Sequence, residues 1–384
     1  MITAPRLITG LPGAAILSPG YVVISGGDVV DVGEGEPPGQ ADIALPEGTL
    51  APGFVDLQVN GYFGEELMAA RADGWAMVAG RLPETGTTAF LPTLITAPLD
   101  RLTTALRTAA AFLPGLTGGA RVLGMHLEGP FIAPSRRGAH NEAWIVDPSA
   151  AAIDSLVSAG GGRLRVVTLA PERPGALSAV AQLTAAGVLV SVGHSDATAQ
   201  QVASAADAGA RMVTHLFDAQ RPLHHREPGV VGQALTDPRL TSGLIADLHH
   251  VGREACQIAF AAAPGRIALV TDAAACAGMP PGRYLLGGQP IELPADAGQP
   301  PVRDDGTLAG SALRMDVAVA NMAGIGVSLA DAIAAATRVP ADLVGCPKLG
   351  RIAPGAAGDL VWLGPDLRAR ATWIGGRQVF GAGQ

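Results

Sequence analysis

Residues 164–198 read LRVVTLAPERPGALSAVAQLTAAGVLVSVGHSDAT and contain the unit from which the fold is inferred. Two short apolar runs, LRVVTLAP from Leu164 and VLVSVGHS from Val188, flank an Ala-rich stretch with apolar residues at helical spacing. Short β-branched runs on either side of a helix-length segment are typical of a strand–helix–strand unit with parallel strands. The second run ends in His194, so this unit also predicts a polar side chain at the carboxyl end of a strand.

The same alternation of apolar runs and Ala-rich stretches extends along most of the chain. The other runs are FVDLQV (from Phe54), TAFLPTL (from Thr88), VLGMHLEG (from Val122), MVTHLFD (from Met212), TSGLIADL (from Thr241) and IALVTDA (from Ile267). Eight buried strands with helices between them predict an α/β fold, a closed (β/α)8 barrel of the TIM type, over residues 51–345. The segment Gly278–Thr307 predicts a hairpin inserted after the eighth strand.

The two ends of the chain, residues 1–50 and 346–384, differ from the middle in their sequence pattern. Both contain short strand-like pieces separated by Gly and Pro, such as YVVISGGDVVDVG near the start and ATWIGGRQVF near the end. Neither end carries enough apolar surface to be stable alone. We therefore expect the two ends to form one small β-sandwich domain against the barrel.

The composition excludes several classes of protein. The chain has 384 residues, of which 48% are hydrophobic and 4% aromatic, as suits an α/β enzyme with strands buried on both faces. We find no uninterrupted apolar stretch of about twenty residues and no secretion signal, so we expect a cytoplasmic protein that does not bind membranes. A net charge of −8 without a basic run argues against nucleic-acid binding. The cysteines Cys256, Cys276 and Cys346 are scattered, which argues against disulfides and a thiolate zinc site.

Polar side chains end several of the predicted strands, at the edge where the active sites of such barrels lie. Glu128, His194 and His215 end the third, fifth and sixth runs. Two imidazoles, one carboxylate and a water make a four-coordinate site suited to zinc or a similar divalent ion. Asp272 ends the eighth run, where it is either the N-cap of the next helix or a proton acceptor that faces a metal-activated water. We prefer the second role, which predicts a metal-dependent hydrolase that protonates a leaving amine.

Seven motifs follow one another along the chain: APGFVDLQVNG, MHLEGPFI followed by RRGAHN, VGHSDAT, THLFDA followed by HHREPG, LIADLHHV, LVTDA and GTLAGS. In this order they resemble the N-acetylglucosamine-6-phosphate deacetylases, a family of the amidohydrolase superfamily, over nearly the whole chain. The resemblance implies that the three residues above hold the metal and that Asp272 is the general base and acid. It further implies a sugar-phosphate site formed by His140, Asp218, Ala219, Arg226, His250, Leu308, Ala309 and Gly310.

The resemblance is incomplete at the end of the first strand. Gln58 and Asn60 stand where many members of the superfamily have a pair of histidines, and a neutral amide is a poor zinc ligand. This variant occurs in single-metal members, so the pair is interpreted as a vestigial second-metal position. Lys348 is the only lysine and lies beyond the barrel, which excludes a carboxylated lysine on the fourth strand. We therefore expect one divalent ion per subunit, zinc first, with Fe²⁺, Co²⁺ and Mn²⁺ as alternatives.

A second departure concerns the phosphate. Asp218 and Gln220 stand where the family usually has an asparagine and an apolar residue, and a carboxylate repels phosphate unless it points away or pairs with Arg221 or Arg226. In the family, the arginine that matches Arg226 reaches across a dimer interface, so the resemblance implies a homodimer.

Three functions remain open at this point. The first is a deacetylase of N-acetyl-D-glucosamine 6-phosphate that releases D-glucosamine 6-phosphate and acetate. The second is a hydrolase of an unphosphorylated N-acetyl amino sugar or an N-acylated amino acid. The third is a non-catalytic barrel that binds sugars or only scaffolds an assembly, against which the full set of metal ligands and Asp272 argue. The expected partner is a small-molecule substrate, an N-acetylated amino sugar.

Overall fold

The computed structural model describes residues 1–296 and 298–381. Its strands are β1 (Ile2–Ala4), β2 (Gly20–Ser25), β3 (Asp28–Glu34), β4 (Ile43–Ala44), β5 (Thr49–Pro52), β6 (Phe54–Val59), β7 (Gly61–Tyr62), β8 (Glu65–Glu66), β9 (Thr87–Ile95), β10 (Arg121–Val122), β11 (Met125–Glu128), β12 (Leu164–Leu169), β13 (Leu189–Val192), β14 (Met212–Val213), β15 (Thr241–Ile245), β16 (Ile267–Val270), β17 (Gly282–Leu286), β18 (Gln289–Leu293), β19 (Leu360–Leu363), β20 (Ala369–Ile374) and β21 (Arg377–Phe380). Its α-helices are α1 (Ala72–Arg81), α2 (Leu99–Phe112), α3 (Ala150–Ala159), α4 (Ala176–Ala185), α5 (Ala199–Ala208), α6 (Gly229–Thr236), α7 (Arg253–Ala262), α8 (Met315–Gly324), α9 (Leu329–Ala336) and α10 (Arg338–Leu343).

The predicted barrel is confirmed. Its eight strands are β6, β9 and β11–β16, and each pairs in parallel with the next in that order. The ring closes through a parallel bridge between Val59 and Ala273, beside a hydrogen bond from the Asp272 amide to the Gln58 carbonyl of 2.9 Å. Closure brings the carboxyl end of the last strand against that of the first, so residues from both ends of the barrel sequence meet at one rim.

The helices and strands of the barrel follow from local sequence. All nine residues of β9 are buried, as expected of a strand that contacts helices on one face and the barrel interior on the other. The helix α5 buries Val202, Ala205 and Ala206, which share one face at a spacing of three and four residues. It begins with a capping box in which the side chains of Thr198 and Gln201 satisfy each other's backbone amides. This start lies directly after the strand end that carries His194.

A polar layer fills the barrel interior beneath the rim. His126 contacts the Leu57 carbonyl through Nδ1 at 3.1 Å and the Thr168 hydroxyl through Nε2 at 2.8 Å. The hydroxyl groups of Thr168, Thr214 and Ser191 continue this network at 2.7 and 2.6 Å. Burial lowers the pKa of His126 to about 4, so this ring is neutral at pH 7 and has a structural role.

The two chain ends form the predicted small domain from two four-stranded sheets. One sheet has the order β3-β2-β1-β4, and the other has the order β21-β20-β19-β5. β5, which runs across the boundary expected at residue 50, pairs antiparallel with β19. A separate apolar cluster lies between the sheets and includes Leu7, Leu50, Leu360 and Trp373. This cluster gives the chain ends the shared core that neither has alone.

The hairpin expected within Gly278–Thr307 is present as the antiparallel pair β17 and β18. Leu286 and Ile291 of this hairpin are buried in one cluster with Ile95, at the end of β9, and with Ala309. The hairpin therefore covers one side of the rim where the strands end.

None of the helices in the described ranges is both long and apolar enough to span a membrane.

Candidate metal centre and active site

A cavity of about 300 Å³ opens at the carboxyl ends of the barrel strands. Glu128 is the last residue of β11, and His194, His215 and Asp272 follow β13, β14 and β16 by two residues each. All four line the cavity. Because parallel strands in a closed barrel end at one rim, side chains far apart in sequence converge there.

Three of these residues form a compact group of ligand atoms. The His215 Nε2 atom lies 3.0 Å from Oε1 of Glu128 and 3.1 Å from Nε2 of His194, which lies 3.3 Å from the same oxygen. Ligand atoms around a tetrahedral zinc ion, with bonds of about 2.0–2.1 Å, lie roughly 3.3 Å from one another. In the described residues no other group of three His, Cys, Asp or Glu side chains is placed to hold an ion. The donor set and its spacing therefore fit one divalent metal.

The hydrogen bonds of the two imidazoles show which nitrogen faces the cavity as an acceptor. The His194 Nδ1 donates to the Arg136 carbonyl at 2.8 Å, and the His215 Nδ1 donates to the Asp218 carbonyl at 3.2 Å. Since a carbonyl oxygen only accepts, both rings carry their proton on Nδ1 and direct the Nε2 lone pairs toward each other. Without a metal ion, burial opposes the imidazolium form, but the hydrogen bond and charge of Glu128 outweigh it and raise the pKa of His215 to about 9. The ring then carries a second proton on Nε2, and a bound ion takes the place of that proton. The site thus favours a bound positive charge.

The amide pair at the end of β6 is hydrogen-bonded to the carboxylates of the site. Nε2 of Gln58 lies 2.9 Å from Oε1 of Glu128 and 3.0 Å from Oδ1 of Asp272. Nδ2 of Asn60 donates to the same Asp272 oxygen at 2.6 Å. An amide nitrogen donates but does not accept, so through these nitrogens the two side chains orient carboxylates and do not bind a metal ion. Gln58 is fully buried and reaches the site through these bonds rather than by lining the cavity.

Asp272 has the surroundings of a proton-transfer group. Burial, reinforced by the charge of Glu128, raises the pKa of Asp272 to about 7. Both amide donors bind Oδ1, and in the described residues Oδ2 accepts no hydrogen bond. A carboxylate with one anchored oxygen, one free oxygen and a pKa near neutrality can both accept and return a proton.

The backbone at the rim adopts conformations that L-residues rarely take. The φ angles are +47° at His194, +27° at His215, +50° at Ala219, +66° at Leu248 and +51° at Asp272. Such residues cost about 1–3 kcal/mol each and concentrate at functional sites, where the surrounding structure holds them. Both histidine ligands and the aspartate are among them, so the turn after each strand directs its side chain toward the cavity.

Asp218 lines the cavity without the partner considered from the sequence. The sequence left open an ion pair between Asp218 and Arg221. In the structure Arg221 instead binds Oδ2 of Asp196 at 3.0 Å. Oδ2 of Asp218 is buried and has no hydrogen-bond donor among the described residues. Burial, with a contribution from the charge of Asp247, raises the pKa of Asp218 to about 6.

Gln220, the other departure in this segment, does not line the cavity. Its Nε2 donates to the Thr214 carbonyl at 2.9 Å, and its Oε1 accepts the Phe217 amide at 3.2 Å. The side chain is 3% exposed and stabilises the turn that carries His215. It therefore has no direct bearing on the phosphate.

Of the two adjacent histidines after β15, the structure places His250 in the cavity and leaves His249 exposed outside it. The His250 Nδ1 lies 2.6 Å from Oδ2 of Asp247. Burial disfavours the charged ring, but the hydrogen bond and charge of Asp247 outweigh it and raise the pKa of His250. This pair presents a fixed imidazole to the cavity.

The segment between β11 and α3 supplies two further side chains to the cavity. His140 is 4% exposed, and its Nδ1 lies 2.7 Å from the Thr96 hydroxyl. Arg136 also lines the cavity, and its guanidinium binds Asp196 at 2.7 Å. Among the lining residues in the described ranges, Arg136 is the one with a permanently charged cationic side chain. Reasoning from sequence missed it, although its place in the motif RRGAHN was an available signal. In the structure, Gly138 of the same motif lies at the His194 ring.

The turn at residues 308–310 lies against Asp272. Leu308 and Gly310 line the cavity, whereas the Ala309 side chain is buried in the cluster under the hairpin. At Gly310 φ is +64°, and a Cβ atom would lie 2.9 Å from the Asp272 carbonyl oxygen. A glycine is therefore required for this turn to approach the end of β16 so closely.

Of the remaining two predicted site residues, Ala219 lies in the cavity and Arg226 lies outside it. Ala219 lines the cavity beside His194, and its carbonyl accepts the Ser195 amide at 3.1 Å. Arg226 is exposed in a turn closed by a bridge between His224 and Glu227, and it does not line the cavity of its own chain.

Comparisons with known proteins agree with this geometry. The family model described as the amidohydrolase family matches residues 49–379. An N-acetylgalactosamine-6-phosphate deacetylase from Escherichia coli O157:H7 is 40% identical over 331 residues, 85% of this chain and 87% of that protein. An N-acetylglucosamine-6-phosphate deacetylase from Bos taurus is 41% identical over 347 residues, 86% and 83% of the two chains. The solved structure of a mutant N-acetyl-D-glucosamine-6-phosphate deacetylase from Mycobacterium smegmatis, in complex with N-acetyl-D-glucosamine-6-phosphate, is 38% identical with a TM-score of 0.91 and covers 98% of each chain.

Proposed function

The chain belongs to the amidohydrolase family, and from this premise we propose that it hydrolyses the acetamide of N-acetyl-D-glucosamine 6-phosphate to D-glucosamine 6-phosphate and acetate. The observation that carries the proposal is the group of Glu128, His194 and His215, whose ligand atoms lie 3.0–3.3 Å apart in the cavity that Asp272 lines. The relatives with about 40% identity are deacetylases of amino-sugar phosphates, which supports this substrate class.

The three ligands would hold a divalent ion at the place where an amide hydrolase activates water. A divalent ion held there provides Lewis acidity, which activates water near neutral pH. Zinc suits two imidazoles and one carboxylate, and Fe²⁺, Co²⁺ and Mn²⁺ are the alternatives. One ion per subunit is expected because the Gln58 and Asn60 amide nitrogens donate to carboxylates and do not ligate.

Asp272 performs both proton transfers in the proposed reaction. Its free Oδ2 accepts a proton from the water as that water attacks the carbonyl carbon of the acetamide. The same oxygen then gives the proton to the amide nitrogen, and the C–N bond breaks. The proton of the resulting acetic acid passes to the amine, so acetate and the protonated amine leave. Burial and the charge of Glu128 raise the pKa of Asp272 above that of an ordinary carboxyl group, which favours its acceptance of the proton from water.

The proposed phosphate site combines cationic side chains from two sources. Arg136 lies in the cavity of the same chain, and the planar guanidinium matches phosphate geometry. Arg226 is exposed on its own chain, and we propose that it reaches the cavity of a partner subunit in a homodimer. His140, Ala219, His250 and the turn at Leu308–Gly310 are proposed to surround the sugar.

The test is acetate release from four substrates, with and without a chelator. We expect N-acetylglucosamine 6-phosphate to give the highest kcat/KM. N-acetylgalactosamine 6-phosphate is the second candidate, because a relative of 40% identity carries that name. Unphosphorylated N-acetylglucosamine and an N-acetyl amino acid test the remaining alternatives. Metal-dependent hydrolysis of the N-acetyl amino acid alone would contradict the proposal. Binding of the sugars without hydrolysis would indicate a non-catalytic barrel.

The role of Arg226 is tested by mixing two inactive variants, Asp272→Asn and Arg226→Ala. If Arg226 acts on the partner subunit, a hybrid dimer has one site with an intact Asp272 and an intact arginine from its neighbour. Mixing after reversible dissociation should then restore activity. No recovery, in a sample shown to contain hybrid dimers, would mean that Arg226 does not act across the interface.

A further inference from the structure

One carboxylate oxygen of Asp218 has no hydrogen-bond donor. Oδ2 is buried, and none of the described residues donates to it. A buried acceptor without a donor costs free energy, and nearly all such atoms in folded proteins have a partner. Asp218 lines the cavity that holds the metal ligands and Asp272. In the cavity this oxygen can accept a hydrogen bond from water or, once a ligand displaces that water, from a donor group of the ligand.

The neighbouring donors are already engaged elsewhere. The guanidinium groups of Arg136 and Arg221 both bind Asp196, at 2.7 and 3.0 Å. The His250 Nδ1 binds Asp247 at 2.6 Å, and the His215 Nδ1 donates to the backbone carbonyl of Asp218 itself. No cation of the described chain forms an ion pair with this carboxylate, and the charges of His215 and His250 act on it only through space. Its oxygens therefore remain available to a ligand in the cavity.

A carboxylate in this position distinguishes between ligand groups. It accepts a hydrogen bond from a hydroxyl group, and it repels an anionic group. The cavity is only about 300 Å³, so every part of a bound sugar lies within the distance of about 8–10 Å over which even a solvent-exposed charge acts. The repulsion is larger here than in bulk solvent because the carboxylate is largely buried.

We propose that Asp218 is a specificity-determining residue that accepts a hydrogen bond from a sugar hydroxyl and lowers the selectivity of this chain for phosphorylated over unphosphorylated N-acetyl amino sugars. The inference rests on the proposed function, since it assigns the substrate preference of the same site. Arg136 attracts the phosphate and Asp218 opposes it, so the chain accepts both forms of the sugar with a smaller preference than a neutral side chain at position 218 would give.

The experiment measures selectivity in Asp218→Asn, which keeps the shape and removes the charge. We expect the ratio of kcat/KM for N-acetylglucosamine 6-phosphate to that for N-acetylglucosamine to rise by about tenfold or more, mainly through KM. Asp218→Ala should raise the ratio as well and should also weaken the unphosphorylated sugar, because it removes the acceptor. Asp154→Asn is the matched control, since it removes one carboxylate from the exposed face of α3.

A merely structural role would lower kcat/KM for both sugars equally, and an unchanged ratio in Asp218→Asn would overturn the inference. Binding of the two sugars to the metal-loaded Asp272→Asn protein, with and without Asp218→Asn, provides a readout that does not depend on turnover. The proposed function fails separately, if the wild-type protein releases no acetate from either sugar. In that case the ratio of the two dissociation constants still decides the inference, and absence of binding by both sugars overturns it too.

Discussion

The Nε2 atoms of His194 and His215 lie 3.1 Å apart, although each ring donates its Nδ1 proton to a backbone carbonyl. With both rings neutral, as metal ligation requires, two nitrogen lone pairs at this distance would repel each other, and the nearby Glu128 carboxylate adds a further acceptor at 3.0 Å from His215. A cation between the three atoms removes the repulsion. The metal is therefore expected to stabilise the rim as well as the reaction.

The first prediction is one tight divalent ion per chain. Metal analysis of protein prepared without chelator should give a ratio near one, and Glu128→Ala, His194→Ala and His215→Ala should each lose the ion. Removal of the metal should lower the thermal midpoint of unfolding, since a ligand that binds only the folded state stabilises it. Two tightly bound metal ions per chain that are both lost in Glu128→Ala would show a binuclear site instead.

The second prediction concerns Asp272. Asp272→Asn keeps an acceptor for the Gln58 and Asn60 amides but removes the basic oxygen, so turnover should fall on the order of a hundredfold or more. Metal content should be unchanged, because the three ligands are intact. Near-normal turnover in this variant would mean that another group, such as His250, takes the proton.

The third prediction separates positioning from ligation at the end of β6. Gln58→Ala removes the amide that bridges Glu128 and Asp272, and groups that orient ligands typically contribute about 10- to 100-fold in activity or affinity. We expect kcat to fall within that range, while one metal ion per chain remains. Gln58→Glu should be more damaging than Gln58→Ala, because it adds a third carboxylate and removes the donor. Loss of the metal in Gln58→Ala would instead identify the amide as a ligand.

The fourth prediction compares two adjacent arginines. Arg136 lines the cavity, whereas Arg137 is exposed and contacts Glu142 at 3.5 Å. Arg136→Ala should raise KM for the phosphorylated sugar roughly 10- to 100-fold, the value of one partly buried arginine–phosphate contact. KM for the unphosphorylated sugar should change little, and Arg137→Ala should behave like the wild type. Equal effects of Arg136→Ala on both sugars would remove this residue from the phosphate site.

The fifth prediction concerns the contact between the small domain and the barrel. Arg121 of β10 binds both oxygens of Asp359, at 2.9 and 3.0 Å, and Asp359 is 2% exposed. Arg121→Ala leaves a buried carboxylate with only the Gly375 amide as donor, which should cost about 2–4 kcal/mol. Arg370→Ala breaks an exposed pair with Asp366 and should cost less than about 1 kcal/mol. Urea unfolding of the two variants compares them, and equal midpoints would contradict the prediction.

The sequence by itself determined the barrel and the group of metal ligands. The burial of a strand and the periodicity of a helix can be predicted from local sequence. The apolar composition of TTAFLPTLI, for example, predicts a strand buried on both faces, and all nine residues of β9 are buried. The order of the strands follows from short connections and parallel pairing. Once the order is known, Glu128, His194 and His215 must lie at one rim, because each ends its strand.

Only the tertiary structure decided how the polar side chains pair across that rim. Gln58 binds both Glu128 and Asp272, although 70 and 214 residues separate them in sequence. Arg221 binds Asp196, Asp218 has no ion-pair partner within residues 1–296 and 298–381, and Gln220 turns inward to the Thr214 carbonyl. A long polar side chain has several donors and acceptors within reach, and its choice depends on distances of a few tenths of an ångström that closure of the barrel sets. The sequence specifies which groups reach the rim, and the folded chain selects the partner of each.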